Sequence, residues 1–204
     1  MKITKITQQV KRKRRYSVFV DEIYSFGLSE NGLLDSGIAI GQELDEAKLQ
    51  AYKLLSDNDK LYGLALRYAA MRPRSAWEMQ LYMKRKDFPA PLIEQITNKL
   101  TRIGMLDDAK FAEMFVHDRR LLRSSSKRKI QLELQKKHIA SETIQQALGE
   151  DETDEPTMLK DIITRKRQQS KFREDDLKLM QYLARQGFGY GDIKHALEEL
   201  AEEA

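Results

Sequence analysis

Ser75-Ala76-Trp77-Glu78-Met79-Gln80-Leu81-Tyr82-Met83-Lys84-Arg85-Lys86-Asp87-Phe88-Pro89-Ala90-Pro91-Leu92-Ile93 is the stretch that decides the fold. Ser75 and Glu78 have capping-box spacing: the serine accepts from the third amide of the helix and the glutamate reaches back. Met79 and Met83 then recur at helical spacing. A basic end, Lys84-Arg85-Lys86, leads to Phe88 at a turn, and Pro89 and Pro91 suit the entry of a second helix, where a missing N–H costs nothing. The reading is a short basic helix, a turn and another helix.

The same pattern recurs twice downstream, and internal repetition is the strongest sequence signal in this chain. At an offset of 51, Arg72 meets Arg123, Ser75 meets Ser126, Met79 meets Ile130, Met83 meets Leu134, Phe88 meets Ile139 and Ile93 meets Ile144. At an offset of 100, Met79 meets Leu179, Tyr82 meets Tyr182, Met83 meets Leu183, Phe88 meets Phe188 and Ile93 meets Ile193. Residues 57–105, 106–148 and 149–204 therefore read as three tandem three-helix repeats, each too small to bury much without its neighbours, forming an elongated array. The third opens on an acidic linker, Gly149 to Pro156.

Residues 1–56 read differently. Tyr16, Val18 and Val20, then Tyr24, Phe26 and Leu28, alternate with period two around Asp21-Glu22, which predicts a β-hairpin, with Ile3–Val10 as a third strand. From Leu44 onward the pattern is helical. Asp45 is a candidate cap, with Leu44 and Leu49 at hydrophobic-staple positions. The fold class is mainly α, behind a small N-terminal sheet.

Composition narrows the function. The chain has 204 residues, no Cys, 4 Pro and 10 Gly. Thiol chemistry and thiolate metal sites are excluded. No apolar run approaches the ~18 residues that span a bilayer, and no signal-peptide core is present, so a soluble cytoplasmic protein without a membrane partner is expected. His117, His138 and His195 have no metal-ligand spacing, and no phosphate-binding loop or nucleophile elbow occurs. Gly187-Phe188-Gly189-Tyr190-Gly191 lacks a preceding strand and reads as a turn between helices, with Gly187 left-handed. Asp107 and Asp108 read as helix-start residues. No enzyme activity, cofactor or metal is expected.

Charge carries the positive evidence. The net charge of +4 divides into +9 over residues 1–148 and −5 over residues 149–204. One cluster is Lys11, Arg12, Lys13, Arg14 and Arg15; the other is Arg119, Arg120, Arg123, Lys127, Arg128, Lys129, Lys136 and Lys137. Such clusters neutralise phosphates. Arg119 lies on the apolar stripe of Phe111 and Phe115, so its charge must snorkel, pair or meet a ligand. The acidic C-terminal part implies a partner with basic patches, or a segment that competes with the anionic ligand.

From Arg72-Pro73-Arg74-Ser75 through Lys86 and Phe88 to Gly104-Met105-Leu106-Asp107-Asp108, Phe111-Ala112 and Arg119, and again at Gln186-Gly187-Phe188, the chain resembles the RecX family, bacterial modulators of the RecA recombinase. It departs where the family's turn glycine is Asp87 in the first copy and His138 in the second, and where its Gly-rich connector is Ser124-Ser125-Ser126. The resemblance implies binding to RecA filaments on single-stranded DNA, in the helical groove, with inhibition of ATP hydrolysis and strand exchange and a role in DNA repair and the SOS response. It also implies direct binding to single-stranded DNA, with double-stranded DNA as a further candidate. The two basic clusters are the expected contact residues. A monomer is the simplest oligomeric state, because the repeats supply one another's neighbours. The alternative is a basic nucleic-acid-binding protein with no RecA target.

Overall fold

The computed structural model describes residues 1–202. Three strands, β1 (Ile3–Gln9), β2 (Arg12–Val20) and β3 (Ile23–Ser29), form an antiparallel sheet in the order β1-β2-β3. At the β2–β3 turn, Asp21 and Glu22 have φ of 48° and 66°. Positive φ at both central residues is the hairpin geometry whose twist matches that of the strands. Ile3, Val18, Val20, Phe26 and Leu28 are buried together with Leu44 and Leu49. The sheet thus folds as the alternation predicts.

Between the sheet and residue 44 lies a helix that the sequence pattern does not reveal, α1 (Glu30–Ser36). Ser29 caps it by accepting from Gly32 N–H, and Gly37 ends it at φ 63°. Seven residues are too few to show a 3.6-residue period, so only the caps mark it. The next helix, α2 (Glu46–Ala70), starts at the predicted cap, Asp45, which accepts from Lys48 N–H. It runs unbroken for 25 residues, so a division of the chain after Ser56 falls inside it. Its early part holds Leu49 in the sheet core, while Ala65 and Ala69 are buried further along and α4 (Ala90–Arg102) packs on the same helix.

The remaining helices are α3 (Ala76–Lys84), α5 (Asp108–Arg123), α6 (Lys127–Gln135), α7 (Ser141–Gly149), α8 (Glu155–Arg167), α9 (Asp176–Arg185) and α10 (Tyr190–Glu202). The basic helices α3, α6 and α9 end alike. Asp87, His138 and Gly187 take φ of 56°, 56° and 93°. The next amide reaches back five residues: Phe88 to Met83 O, Ile139 to Leu134 O, Phe188 to Leu183 O. This is the Schellman ending, with a left-handed residue followed by an apolar one. Phe88, Ile139 and Phe188 are all buried, each contributing about 1.5–3 kcal/mol of apolar transfer. A repeated backbone device therefore underlies the repeated sequence, with Asp and His occupying a conformation glycine takes more readily.

The described residues pack as two compact units. The first comprises residues 1–72 and 79–105; the second comprises Pro73–Glu78 and the chain from Leu106 onward. In the second unit, α5, α6 and α7 close on Phe111, Phe115, Ile130, Leu134 and Ile144. Helices α8, α9 and α10 close on Leu159, Ile163, Leu179, Leu183, Phe188 and Ile193.

Candidate nucleic-acid interface

The basic residues divide by partner. In the first unit, Lys11, Arg12, Lys13 and Arg14 are exposed around the start of β2. Arg15 is not part of that surface. Its guanidinium donates to Gly27 O at 2.8 Å and pairs with Asp59 at 3.0 Å, with Asp59 only 8% exposed. Asp59 also accepts from the Ser29 amide at 2.8 Å and from the Ser29 hydroxyl. Arg15 therefore clamps the sheet to α2.

The second cluster divides in the same way. Arg119 pairs with Glu133 at 2.5 Å and lies 4.2 Å over the Phe115 ring, so its place on an apolar stripe is resolved by pairing and a cation–π contact. Arg120 is held by Asp151 at 2.6 Å and Glu155 at 2.6 Å, and donates to Ser125 O at 2.9 Å. Glu155 also accepts from the Lys127 amide. The acidic linker thus folds back onto the basic cluster and neutralises one of its members. Burial pushes the Asp151 carboxyl up, but hydrogen bonds from Thr153 and Arg120 and the guanidinium charge outweigh it and hold the carboxyl below its ordinary range. Lys137 pairs with Glu78 at 2.5 Å. Among the described residues, Arg123, Lys127, Arg128 and Lys136 remain exposed with no carboxylate partner, and Lys129 donates only to neutral oxygens, Arg185 O and Gln186 Oε1.

Two further contacts position α3 and α6. Ser75 donates to Lys137 O at 3.2 Å, Trp77 stacks on His138 with ring centroids 4.7 Å apart, and the Ala76 amide donates to Asp108 at 2.8 Å. At the other, the Ser126 amide donates to Gln186 O at 2.9 Å beside Gly187. Ser126 also caps α6 as predicted, accepting from Lys129 N–H.

The acidic pair Asp107-Asp108 works as helix-start chemistry. Asp107 accepts from the Ala109 and Lys110 amides, and the Lys110 N–H is the main cause holding its carboxyl below the ordinary range. Burial pushes the Asp108 carboxyl up, opposed by the Ala76 amide. Among the described residues, no group of three or more His, Asp and Glu side chains converges as a metal site would require. His117 is exposed, and His195 faces Glu199 at 3.6 Å. No described helix is long and apolar enough to cross a membrane.

Sequence reasoning missed two cations, Arg165 and Lys166 in the last turn of α8, because helix-end basic residues complement the helix dipole by default. Their signal lies in three dimensions: they share a recess with Arg123 and Lys129.

Residues 1–45 match the regulatory protein RecX N-terminal domain, residues 62–100 the first three-helix domain of RecX, and residues 107–148 the second. The chain is 30% identical to regulatory protein RecX of Halalkalibacterium halodurans over 201 residues, covering 97% of this chain and 76% of that protein. It is 31% identical to regulatory protein RecX of Bacillus pumilus, with the same coverage. Among solved structures, a crystal structure of regulatory protein RecX superposes with a TM-score of 0.77 at 27% identity, covering 97% of this chain and 98% of that one. RecX from Lactobacillus salivarius superposes with a TM-score of 0.57 at 26% identity over 71% of this chain and 97% of that one.

Proposed function

Because the chain belongs to the RecX family of regulatory proteins, we propose that it binds RecA filaments on single-stranded DNA and restrains their ATP hydrolysis and strand exchange by binding in the helical groove. The observation that carries this reading is the match of three RecX domain models in chain order, from the N-terminal sheet to the second three-helix domain. The division of the cations supports it. Arg15, Arg119, Arg120 and Lys137 have carboxylate partners within the fold. Lys11, Arg12, Lys13 and Arg14 face solvent on the first unit, and Arg123, Lys127, Arg128 and Lys136 face solvent on the second beside Lys129; each group is a proposed contact patch. Inhibition needs no catalytic group on this chain, only binding that differs between filament states.

The test is single-stranded-DNA-dependent ATP hydrolysis by preformed RecA filaments at physiological salt, with naked-DNA binding measured alongside. Inhibition well below the concentration that saturates naked DNA supports filament binding. Inhibition only where the DNA is already coated favours the alternative, a basic DNA-binding protein without a RecA target. That alternative draws on the same exposed cations. It predicts a steep salt dependence, with a loss of ~10³–10⁵ in affinity between 50 and 200 mM salt for many phosphate contacts.

A further inference from the structure

A recess of about 500 Å³ opens within the second unit, and its lining holds four cations, Arg123, Lys129, Arg165 and Lys166, beside Tyr182 and Gln186. Among the described residues, no carboxylate lines it. Elsewhere in this unit Arg119, Arg120, Lys137, Arg167 and Lys178 have acidic partners, while Lys127, Arg128 and Lys136 stand exposed without one among the described residues; the recess differs from those in bringing four cations to one concave lining. The recess cations have only neutral partners. Lys129 donates to Arg185 O and Gln186 Oε1, Arg165 Nε donates to Asp161 O, and Lys166 sits 4.6 Å over the Tyr182 ring. The Arg123 side chain has no hydrogen bond or ion pair among the described residues.

Lys129 has a local reason to be there, since it completes the carbonyls at the end of α9. Arg123, Arg165 and Lys166 lie in the last turns of α5 and α8, where a cation complements the helix dipole, but that role does not require all three to line one recess. Four like charges converging on a recess repel one another, and an anion relieves the repulsion. The volume lies in the range of small-ligand sites, and an aromatic wall beside cations suits a nucleotide better than a bare inorganic ion.

We propose that this recess binds the phosphate groups of a nucleotide, with Arg123, Arg165 and Lys166 as phosphate ligands, Lys129 as a fixed positive wall and Tyr182 beside the sugar or base. The phosphate comes either from a single-stranded DNA backbone or from a free nucleoside diphosphate or triphosphate. This deepens the preceding reading by naming one contact behind it, yet its test needs no RecA.

The experiment uses the full chain and two probes: a fluorescent oligothymidylate read by anisotropy, and ADP read by calorimetry. The variants are R123Q alone and R165Q with K166Q. The control is K178Q with K194Q, which removes the same charge from exposed residues elsewhere in the unit. Circular dichroism and thermal melting establish that each folds. The expected result is a loss of at least ~10-fold for the double variant and a salt slope for DNA shallower by about 1.4, the value for two single-strand phosphate contacts, with the control within two-fold. A loss confined to the DNA arm assigns the site to backbone phosphate, and a loss confined to ADP assigns it to a free nucleotide. The proposal is overturned by less than two-fold loss in both arms for both folded variants, or by an equal loss in the control. If recess binding holds while RecA hydrolysis is not inhibited, the filament reading fails and the phosphate site stands.

Discussion

The start of α3 and the start of α6 are the same device used twice, and they differ in charge. Ser75 and Ser126 occupy equivalent positions, as do Glu78 and Lys129, and each helix start docks on the turn that ends a basic helix. At the first contact Glu78 meets Lys137, and Trp77 covers His138. Acid meets base and an aromatic ring closes the gap. At the second contact Lys129 meets only carbonyl oxygens, and Gly187 replaces the histidine so that the backbones approach closely. The first contact is satisfied internally, whereas the second leaves a positive charge beside a recess. A repeat fixes where residues sit; the residue type at each equivalent position decides whether the place is structural or free for a ligand.

The comparison breaks most sharply at Arg120, which props the connector before α6. Arg120→Ala strands Asp151, 9% exposed, without its cation and removes the hydrogen bond to Ser125 O. Breaking such a buried pair should cost about 3 kcal/mol in urea unfolding, and most of the helical content should stay coupled to that loss. The same pair sets a pH dependence. The Asp151 carboxyl lies below its unfolded value, so its contribution is present above the unfolded pKa and is lost as pH falls through the folded one. Acid unfolding of Arg120→Ala should therefore show a shallower fall in stability below about pH 4, the ordinary Asp value, than the unchanged protein.

Gly187→Ala attacks the close approach directly. A methyl group there falls within 2.5 Å of Lys129 Cβ and against the Ser126 hydroxyl, at a φ of 93°. The expected loss is about 2–3 kcal/mol. His138→Gly at the equivalent turn relieves a left-handed histidine but removes its stack on Trp77, so it should stay within about 1 kcal/mol of unchanged. A loss at His138 as large as that at Gly187 would show that the two contacts are not built differently.

Exchanging the charges sharpens the contrast. Glu78→Lys places two ammonium groups together at the first contact and should cost about 1–2 kcal/mol. Lys129→Glu at the second loses the hydrogen bonds to Arg185 O and Gln186 Oε1, which should cost about 1–2 kcal/mol, and weakens oligothymidylate binding by about 10-fold, because a carboxylate then enters the recess. The smallest effect belongs to Ser125. Its hydroxyl is buried without a hydrogen-bond partner among the described residues, so Ser125→Ala should leave the melting curve within about 0.5 kcal/mol of unchanged or raise it slightly.

The capping residues Asp45, Ser75, Asp107 and Ser126 and the β-hairpin were legible in the chain, because each rests on a local rule: a period, a cap or a turn. The left-handed turns at Asp87, His138 and Gly187 were legible by alignment of the copies. Helix α1 was not, since seven residues carry no period. Nor was the unbroken passage of α2 from the sheet core to the packing of α4, because an amphipathic pattern does not say which partner each part of a helix meets.

The chain read alone yields the three strands, the helices long enough or capped clearly enough to show a pattern, the triplicate three-helix design and the family, but not α1. Only the tertiary structure decided the fate of the charges. Lys11 to Arg15 reads as one basic run, yet Arg15 turns inward to Asp59; Arg119 and Arg120 are adjacent and both paired, to carboxylates on different elements; Arg165 and Lys166 join Arg123 across more than forty residues of chain. Propensity and capping act over a few neighbouring residues and survive in a linear reading. Coulomb interactions act through space, so whether a cation is neutralised or left for a ligand depends on which distant carboxylate the fold brings within a few ångströms.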